Sequence, residues 1–581
     1  MTENNNIKPS QEKVWKKYLP EGAVDVDIAR CTAFDYLKAS NMNNLGGKAI
    51  HYYGTTIRFR ELFLNVVKYS DAFDAIGVKE GDLVSAIAVG VPEYLTSIYA
   101  LNRIGATTNT IDPRMDVDSI KRMVKQSGSR ITMILDVMFA KVAPILDELD
   151  QDLFLILPTT RSMPLLTKLV MNHRLKLNVP YGGKIVKWTE FLSKGKRDKH
   201  VEAAPYQGDR VVAITYTGGT TGFPKGVMIT NDSMNAVAEN FKNWGLEYSV
   251  GDRFLGIIPV FSSYGLVCGF HMPLCMGLEL VTIPKFDPLE FGALVKKFRP
   301  NHMISTPAFY EMLMDSKEMV NQDLSFLITL GSGGDTMNEG LELKLARFME
   351  EHNIKYPLAQ GYGMSELSAA ATFCANGINK PGSVGIPSPT TVVGIFDPDT
   401  QEELGYNKVG EVCVTGPSMM KGYWNNPSET EHVMRKHADG KVWIHSGDLG
   451  LIDEDGFLFI KGRIKRMITR FDGHKVFPVN LESMINAFED VRNCAVIGVR
   501  DRGHGQGHYP LVLIELAEGV EADVACRKIF QYCNTHAEER GRPVGVIAID
   551  EIPLTAMGKN DFRALEDLYR DFDYTKLKYD E

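Results

Sequence analysis

The most informative loop of this chain reads Thr217-Gly218-Gly219-Thr220-Thr221-Gly222-Phe223-Pro224-Lys225-Gly226. It follows the apolar run Val211–Ile214, which predicts a buried strand that ends at Tyr216. Glycine lets the backbone approach phosphate oxygens, while threonine hydroxyls donate hydrogen bonds and lysine supplies positive charge. The loop therefore predicts a cradle for a polyphosphate.

This loop differs from the common P-loop. That pattern requires a glycine directly before the lysine, whereas here Phe223 and Pro224 separate Gly222 from Lys225. Because proline lacks an N–H and has a fixed φ, Pro224 also argues against a loop that runs straight into a helix.

Length and composition restrict the class of protein. With 581 residues the chain is too long for one hydrophobic core, so two or more domains are expected. A net charge of −9 argues against nucleic acid as the main partner, because its phosphates require a basic surface. The N-terminus lacks the charged-then-apolar profile of a signal peptide. The eight cysteines form no CxxC pair, which predicts reduced core cysteines, a cytoplasmic location and no metal–thiolate site.

Strand-like and helix-like segments alternate along most of the chain. An example is the strand-like run Leu83–Val89 followed by the helix-like run Pro92–Ile104. Such alternation predicts an α/β architecture with buried sheets. The apolar stretch 265–283 contains a histidine, a proline and a glutamate, which favours a buried helix leading into a strand over a membrane span. The first fifty residues are predicted to form a loosely packed lead-in, with one amphipathic stretch at Gln11–Tyr18.

Changes in sequence texture divide the chain. Short strands and turns after about residue 390 predict a β-rich subdomain that extends to residue 464. Residues 465–581 have the length of a small separate domain. The expected fold class is therefore α/β, with a large N-terminal domain of mixed sheets and helices (1–464) and a small α+β C-terminal domain (465–581).

The segment Ser162–Lys199 joins an apolar run, Met163–Met171, to many basic residues. Two interpretations stay open at this stage. One is a solvated surface helix and loop; the other is a contact with a membrane surface or an acyl carrier protein.

Six further segments carry glycine-rich or charged patterns suited to nucleotide chemistry. They are Pro259–Gly265, Leu330–Thr336, Gln360–Glu366, Trp443–Asp448, Lys461–Lys465 and Pro553–Lys559. With the loop 217–226, and in this order along the chain, they resemble the signature segments of the ANL superfamily of acyl-CoA synthetases, adenylation domains and firefly-type luciferases. The resemblance runs from about Ile50 to Leu565. It implies ATP, Mg²⁺ and CoA as cofactors or co-substrates, and a C-terminal domain that is mobile.

The resemblance implies a reaction in which a carboxylate attacks the α-phosphate of ATP, giving an acyl-adenylate and pyrophosphate. Two anions must meet, so the site must supply positive charge and fixed donors. The implied catalytic residues are Lys559, which bridges the carboxylate and the α-phosphate, Lys225 on the pyrophosphate, and Glu366. Glu366, with Thr217, is the implied Mg²⁺ ligand.

The same resemblance assigns binding roles. Asp448 accepts the ribose hydroxyls, Arg463 contacts ribose or phosphate, and Tyr362 offers an aromatic face to adenine. The other implied nucleotide-binding residues are Thr217, Gly218, Gly219, Thr220, Thr221, Gly222, Gly333, Gly334, Gly363 and Ser365. Lys465 is the implied hinge between adenylation and thioester formation. The implied acyl-site residues are Phe261, Ser262 and Tyr264.

The chain departs from the family pattern at three points. Ser365 stands where threonine is usual, which retains the hydroxyl and loses a methyl contact. One extra residue precedes Gly473, so the register of the thiol-entry loop stays open. Ser262 replaces a larger polar residue, which either widens the acyl entrance or leaves room for Tyr264.

The substrate is expected to be a carboxylic acid without an ammonium group. Amino-acid-adenylating relatives place an aspartate in the segment Pro259–Gly265, and none is present here. A medium- or long-chain fatty acid is the favoured substrate, with an aryl acid as the alternative. CoA is the favoured acceptor. No serine follows Ser483 to carry a phosphopantetheine downstream, which argues against a fused carrier, and a separate carrier protein is the alternative acceptor. A non-catalytic binder of adenylates or acyl chains is the third hypothesis, and the oligomeric state stays open.

Overall fold

A computed structural model of the chain describes residues 7–23, 26–196, 199–217, 224–554, 560–570, 572–577 and 579. Within these residues, five β-sheets are flanked by helices. The helices are α1 (Pro9–Glu12), α2 (Ala33–Ser40), α3 (Phe59–Ala75), α4 (Pro92–Arg103), α5 (Val117–Ser127), α6 (Phe139–Val142), α7 (Leu165–Leu175), α8 (Trp188–Lys194), α9 (Asn231–Asn243), α10 (Met272–Cys275), α11 (Phe291–Phe298), α12 (Pro307–Met314), α13 (Glu339–Glu351), α14 (Pro427–Val433), α15 (Pro478–Ile485), α16 (Ala522–His536) and α17 (Phe562–Leu568). The predicted α/β fold class is confirmed.

One sheet has seven strands. In spatial order they are β7 (Ile185–Lys187), β6 (Leu153–Leu157), β5 (Ile131–Leu135), β3 (Leu83–Ile87), β4 (Thr107–Ile111), β8 (Val211–Thr217) and β9 (Lys225–Thr230). Neighbours are parallel except β8 and β9, which form an antiparallel pair. The near-continuous apolar runs of these strands are typical of parallel sheets covered on both faces.

A second sheet has nine strands. In spatial order they are β16 (Ile386–Pro387), β15 (Thr372–Phe373), β14 (Ala359–Tyr362), β13 (Thr329–Ser332), β12 (His302–Ser305), β10 (Arg253–Gly256), β11 (Glu279–Thr282), β1 (Lys48–Tyr52) and β2 (Thr55–Arg58). From β14 to β1 the neighbours are parallel. The segments predicted to bind nucleotide therefore follow the carboxyl ends of β13 and β14 on one edge, where open α/β sheets bind ligands.

The apolar stretch 265–283 is a helix that leads into a strand, as predicted. Its first part, Tyr264–His271, is a π-helix, which continues into α10 and then β11. All residues from Gly265 to His271 are buried. The sequence did not indicate the wider helical turn, which occurs mostly at functional sites.

The remaining sheets are smaller. One contains β17 (Val392–Phe396), β18 (Gly410–Thr415), β19 (Met434–Lys436), β20 (Val442–Ile452) and β21 (Leu458–Arg463). A hairpin is formed by β22 (Ile468–Thr469) and β23 (Lys475–Val476). The last sheet contains β24 (Val491–Arg500), β25 (His508–Leu516) and β26 (Gly545–Ala548).

The main apolar cluster spans Trp15 to Leu458, and two other clusters lie wholly within residues 468–579. The division of the chain at residue 464 stays a prediction.

The prediction of a loosely packed lead-in is wrong. Trp15 is fully buried in the main cluster, and its backbone lies against Gly456, where an added Cβ would sit 2.8 Å from the Trp15 Cβ. The rings of Tyr18 and Phe457 are 5.4 Å apart, and α2 buries Phe34 and other residues of its inner face. The segment is short and rich in polar residues, but its few large apolar side chains bury enough area to hold it against the core.

Candidate active site

The predicted phosphate loop connects two paired antiparallel strands in the sequence. Thr217 ends β8 and pairs in register with Lys225, the first residue of β9. The prediction that no helix follows the loop directly is therefore confirmed. Residues 218–223 lie outside the described residues, so the roles assigned to Gly218, Gly219, Thr220, Thr221 and Gly222 stay predictions.

Lys225 already has an anionic partner. Its ammonium group forms an ion pair with Glu429 of α14 and lies 5.0 Å from the ring centroid of Tyr423. This ammonium holds the pKa of Glu429 below its usual range. Contact with pyrophosphate would therefore require Lys225 to exchange Glu429 for the phosphate oxygens.

The structure brings Tyr362, Asp448 and Arg463 together. The Tyr362 hydroxyl donates a hydrogen bond to Asp448 Oδ2 at 2.7 Å, and Arg463 Nε lies 2.7 Å from Asp448 Oδ1. Asp448 and Arg463 are register partners on β20 and β21, while Tyr362 ends β14 in another sheet. Burial raises the pKa of Tyr362, and the Asp448 carboxylate raises it further. The three predicted nucleotide contacts thus form one hydrogen-bonded group.

Glu366 lies beside this group in a single 3₁₀ turn, Ser365–Leu367. Its side chain is buried, and Oε1 accepts a hydrogen bond of 2.5 Å from the Tyr423 hydroxyl. Among the described residues, Oε2 has no hydrogen-bond partner. A carboxylate oxygen left available in a buried position fits the hard oxygen ligand that Mg²⁺ requires.

Ser365 connects the adenine segment to the acyl segment. The Ser263 hydroxyl donates a hydrogen bond of 2.6 Å to Ser365 Oγ. Ser365, which stands where threonine is usual, therefore accepts a hydrogen bond from Ser263. Its own hydroxyl proton can be donated to a phosphate oxygen.

Glycine is required at two turns of the site. A Cβ on Gly363 would lie 1.7 Å from the carbonyl oxygen of Ala369, and a Cβ on Gly265 would lie 2.0 Å from that of Pro259. Backbone segments approach too closely for any side chain there. Both turns are therefore fixed by local packing.

Tyr264 lies against the predicted adenine segment as well as the acyl segment. A Cβ on Gly333 would be 3.5 Å from the Tyr264 Oη, and one on Gly334 would be 3.8 Å from its ring. The two predicted groups, one for nucleotide and one for acid, therefore share a wall. Burial is the main cause of a raised pKa for Tyr264, which keeps its hydroxyl neutral.

The side chains of Ser262 and Phe261 both have partners within the protein. The Ser262 hydroxyl donates to the Pro259 carbonyl at 2.8 Å and accepts from the Gly265 N–H at 3.1 Å, so it closes its own turn. Phe261 is buried, with the Arg114 guanidinium 5.0 Å from its ring centroid. The small side chain at residue 262 thus serves the turn itself.

A buried polar network behind Asp448 escaped the sequence analysis. Glu411 Oε1 accepts from the Gly447 N–H at 3.0 Å, and Glu411 Oε2 lies 2.8 Å from His445 Nδ1. His445 Nε2 is 2.8 Å from His437 Nε2, and Cys413 Sγ is 3.5 Å from His445 Nδ1. Cys413, predicted to be an ordinary core cysteine, therefore lies beside the buried pair of Glu411 and His445.

This network holds the loop that carries Asp448. Burial alone would raise the pKa of Glu411, but the hydrogen bond and charge of His445, together with the Gly447 N–H and the charge of Arg435, outweigh burial and lower it. The Ser446 hydroxyl also donates to the Val412 carbonyl at 2.6 Å and accepts from the Asp448 N–H at 3.0 Å. The alternation of Glu411 and Cys413 in an apolar strand was the available signal, since residues two apart share one face.

The predicted hinge follows β21. Lys465 is exposed in the 3₁₀ turn Ile464–Arg466. Farther along, in the segment before Gly473 that has one residue more than the family pattern, the ring of Phe471 stacks on His504 with centroids 3.5 Å apart. Lys559 lies outside the described residues, and its role and that of Lys465 stay predictions.

Comparisons with known proteins agree with this arrangement. The family "AMP-binding enzyme" matches residues 38–424, and the family "AMP-binding enzyme C-terminal domain" matches residues 480–559. A long-chain-fatty-acid–CoA ligase of Bacillus subtilis is 29% identical over 520 residues, which cover 88% of this chain and 90% of that protein. A 4-coumarate–CoA ligase 3 of Oryza sativa is 30% identical over 506 residues, which cover 84% and 83%.

Solved structures share the fold. The anthranilate CoA ligase AuaEII, solved in complex with anthranoyl-AMP, has a TM-score of 0.80 at 20% identity and covers 94% of this chain and 99% of its own. The chain therefore belongs to the AMP-binding enzymes of the ANL superfamily, and among them to the AMP-forming acid–thiol ligases that make acyl-CoA or aryl-CoA.

Proposed function

We propose that this ligase activates a medium- or long-chain fatty acid. The observation that carries the proposal is the absence of charged residues from the predicted acyl segment and from the buried helix that follows it. Between Gly256 and Leu278 the sequence has no Asp, Glu, Lys or Arg. Burial lowers the pKa of His271, the one histidine there, to about 3, and the charge of Lys242 lowers it further, so the ring is neutral at pH 7. An apolar chain suits a segment without charge, whereas a substrate ammonium would be costly there without a partner.

The proposed first step joins the acid to AMP. A carboxylate oxygen attacks the α-phosphorus of ATP, a new acyl–O–P bond forms, and the bond to pyrophosphate breaks. Asp448 and Arg463 orient the ribose, and Tyr362 lies against the adenine. Lys225 and Lys559 would reduce the repulsion between the two anions, and the accessible oxygen of Glu366 would hold Mg²⁺, which neutralises the phosphates when bound.

The proposed second step transfers the acyl group to CoA. The thiol sulfur attacks the acyl carbonyl carbon, the thiol proton is released, and AMP leaves. Turning about Lys465 would remove Lys559 from the site and bring the loop near Gly473 to the adenylate. The thiol of a separate carrier protein is the alternative acceptor. The predicted cytoplasmic location belongs to the same proposal.

Pyrophosphate release over a panel of acids tests the proposal. Saturated fatty acids of graded length, 4-coumarate, benzoate and an amino acid would each be offered with ATP and Mg²⁺, with and without CoA. Sustained CoA-dependent turnover that rises with chain length is the expected result. Preference for 4-coumarate, the substrate named for the Oryza relative, would replace the fatty acid by an aryl acid. A stoichiometric burst unaffected by CoA would replace CoA by a carrier thiol.

A further inference from the structure

Helix α7 presents an apolar face to solvent. None of its eleven residues is buried, and the side chains of Leu165, Leu166, Leu169 and Val170 are between 53% and 79% exposed. Residues at these spacings lie side by side on one helical face. Contiguous exposed apolar surface on a folded chain marks an interaction site.

The exposed apolar surface continues beyond the helix and is bordered by positive charge. Leu177 and Tyr181 are also exposed. From residue 161 to residue 189 the sequence has no Asp or Glu, in a chain whose net charge is −9. The basic residues of this stretch are Arg161, Lys168, Arg174, Lys176, Lys184 and Lys187. Apart from Arg161, none of them forms an ion pair with a carboxylate of the described residues.

The charges lie on both sides of the apolar row. Lys168 follows Leu165 by three residues and Arg174 follows Val170 by four, which places them at opposite edges of the exposed face. Basic residues that flank an apolar helical face are typical of helices that lie in the interface of an anionic lipid surface.

Helix α7 and the loop before it are anchored to the rest of the chain. The Thr160 hydroxyl donates a hydrogen bond of 2.7 Å to Asn172 Oδ1, Met171 packs against the main core, and the Ser162 hydroxyl donates to Glu93 at 2.7 Å. The exposed leucines therefore belong to a fixed helix. Within the described residues, no helix has both the length and the apolar character needed to span a bilayer.

We propose that α7 and the segment through Lys187 form a docking surface for an anionic lipid bilayer. The leucines of α7 enter the headgroup–acyl boundary while the flanking lysines and arginines contact lipid phosphates, as in interfacial amphipathic helices. This segment has basic residues and no acidic ones, although the whole chain is acidic. Its positive charge complements the negative charge of an anionic lipid surface, which is why we choose a bilayer as the partner. The surface stands independently of the ligase substrate, so the two proposals fail separately.

Vesicle flotation of the full chain tests the docking surface. Phosphatidylcholine vesicles with and without phosphatidylglycerol would be compared for the wild-type chain, for Leu166→Glu/Leu169→Glu and for Lys176→Glu/Lys184→Glu. The matched control is Leu343→Glu, because Leu343 is similarly exposed, 54%, on α13. Thermal unfolding would verify that each variant is folded.

The wild-type chain and the control should bind the anionic vesicles and lose that binding at about 1 M NaCl, where the Debye length is roughly 3 Å. Partitioning should fall at least about fivefold for each lysine replaced by glutamate and more than about tenfold for the leucine pair. Equal binding of all variants, or no binding of the wild-type chain, would overturn the proposal. A dimer that the leucine pair dissociates, without vesicle binding, would assign the face to a second copy of the chain and also overturn it.

Discussion

Two regions of this molecule bury carboxylates but give them different numbers of hydrogen-bond and charged partners. On the nucleotide side, Asp448 is contacted by the Tyr362 hydroxyl and the Arg463 guanidinium, each at 2.7 Å. At the first turn of α4, Glu93 is equally buried, but it receives one hydrogen bond from Ser162, and Arg161 Nε stays 3.8 Å away. Burial raises the pKa of Glu93 to about 7, against the smaller opposing effects of Ser162 and Arg161.

The difference lies in the partners, since burial disfavours the charged form in both places. Glu411, with His445 on one oxygen and a backbone N–H on the other, has a lowered pKa despite its burial. Asp448, the proposed ribose ligand, and Glu411 therefore lie where the fold supplies a partner for each carboxylate oxygen. Glu93, with weaker compensation, contributes mainly to packing and anchors the loop before α7.

The largest expected effect comes from Lys559→Ala, which removes the cation proposed to join the two anions. We expect adenylation to fall by about two orders of magnitude or more, because a fixed charge at the reacting atoms is lost. Conversion of a supplied acyl-adenylate to the thioester should survive. Pyrophosphate release and thioester formation would be measured separately.

Lys576→Ala is the matched control, because that lysine is exposed in the same C-terminal region and pairs with Asp573. It should leave both half-reactions unchanged. If Lys559→Ala also leaves both intact, Lys559 is a surface lysine and the proposed mechanism lacks its cation.

Asp448→Asn should have the next largest effect. The amide keeps the shape and one acceptor but loses the charge that holds Arg463 and the ribose, so kcat/KM for ATP should fall by about 10- to 100-fold. The midpoint of thermal unfolding should change little. Asp453→Asn serves as control, because Asp453 is a buried aspartate just after β20 that accepts the Phe457 N–H in a turn. The control should lose stability and keep its KM for ATP; the reverse pattern would make Asp448 the structural residue.

The parts of the candidate site that depend on residues close in sequence could be predicted, whereas the contacts that depend on strand register could not. The strand before Thr217 and the lack of a helix directly after the loop could be inferred because both depend on neighbours in sequence. The Glu411–His445 pair could not, because it depends on the pairing of β18 with β20, where a register shift occurs between Glu411 and Cys413. The hydrogen bond between Ser263 and Ser365 likewise joins segments about 100 residues apart.

The sequence also did not reveal which single large side chains are buried. Trp15 made the lead-in part of the core, although the residues around it are mostly polar. The π-helix Tyr264–His271 depends on the close approach of Gly265 to Pro259, which a periodic apolar pattern does not reveal.

Glu411→Gln should destabilise the chain by about 3 kcal/mol at pH 7, because two charge-assisted hydrogen bonds lose their anion. The lowered pKa of Glu411 sets the direction with pH. Its contribution is present above the unfolded-state pKa and is lost as pH falls through the lower folded-state value. The difference between wild type and variant should therefore hold from pH 7 to about 5 and shrink in stronger acid. Urea unfolding at several pH values measures it, and a constant difference down to pH 3 would contradict the assigned charge.

The smallest expected effect has the opposite sign. Glu93→Gln should stabilise the chain by about 2 kcal/mol at pH 8, since the wild-type carboxyl must be ionised while buried. The folded-state pKa of about 7 lies above the unfolded-state value, so the wild-type residue is best tolerated below about pH 4.5 and becomes costlier as pH rises to 7. The gain should therefore vanish near pH 4.5.

Glu61→Gln provides the comparison for Glu93→Gln, because Glu61 occupies the first turn of α3 and is exposed. Both variants lose the same favourable interaction of a negative charge with a helix N-terminus, so that contribution cancels between them. Only the buried carboxyl should give a gain that grows with pH in urea unfolding. If Glu93→Gln destabilises the chain at pH 8, the Arg161 guanidinium compensates the buried charge, and the contrast between the two regions disappears.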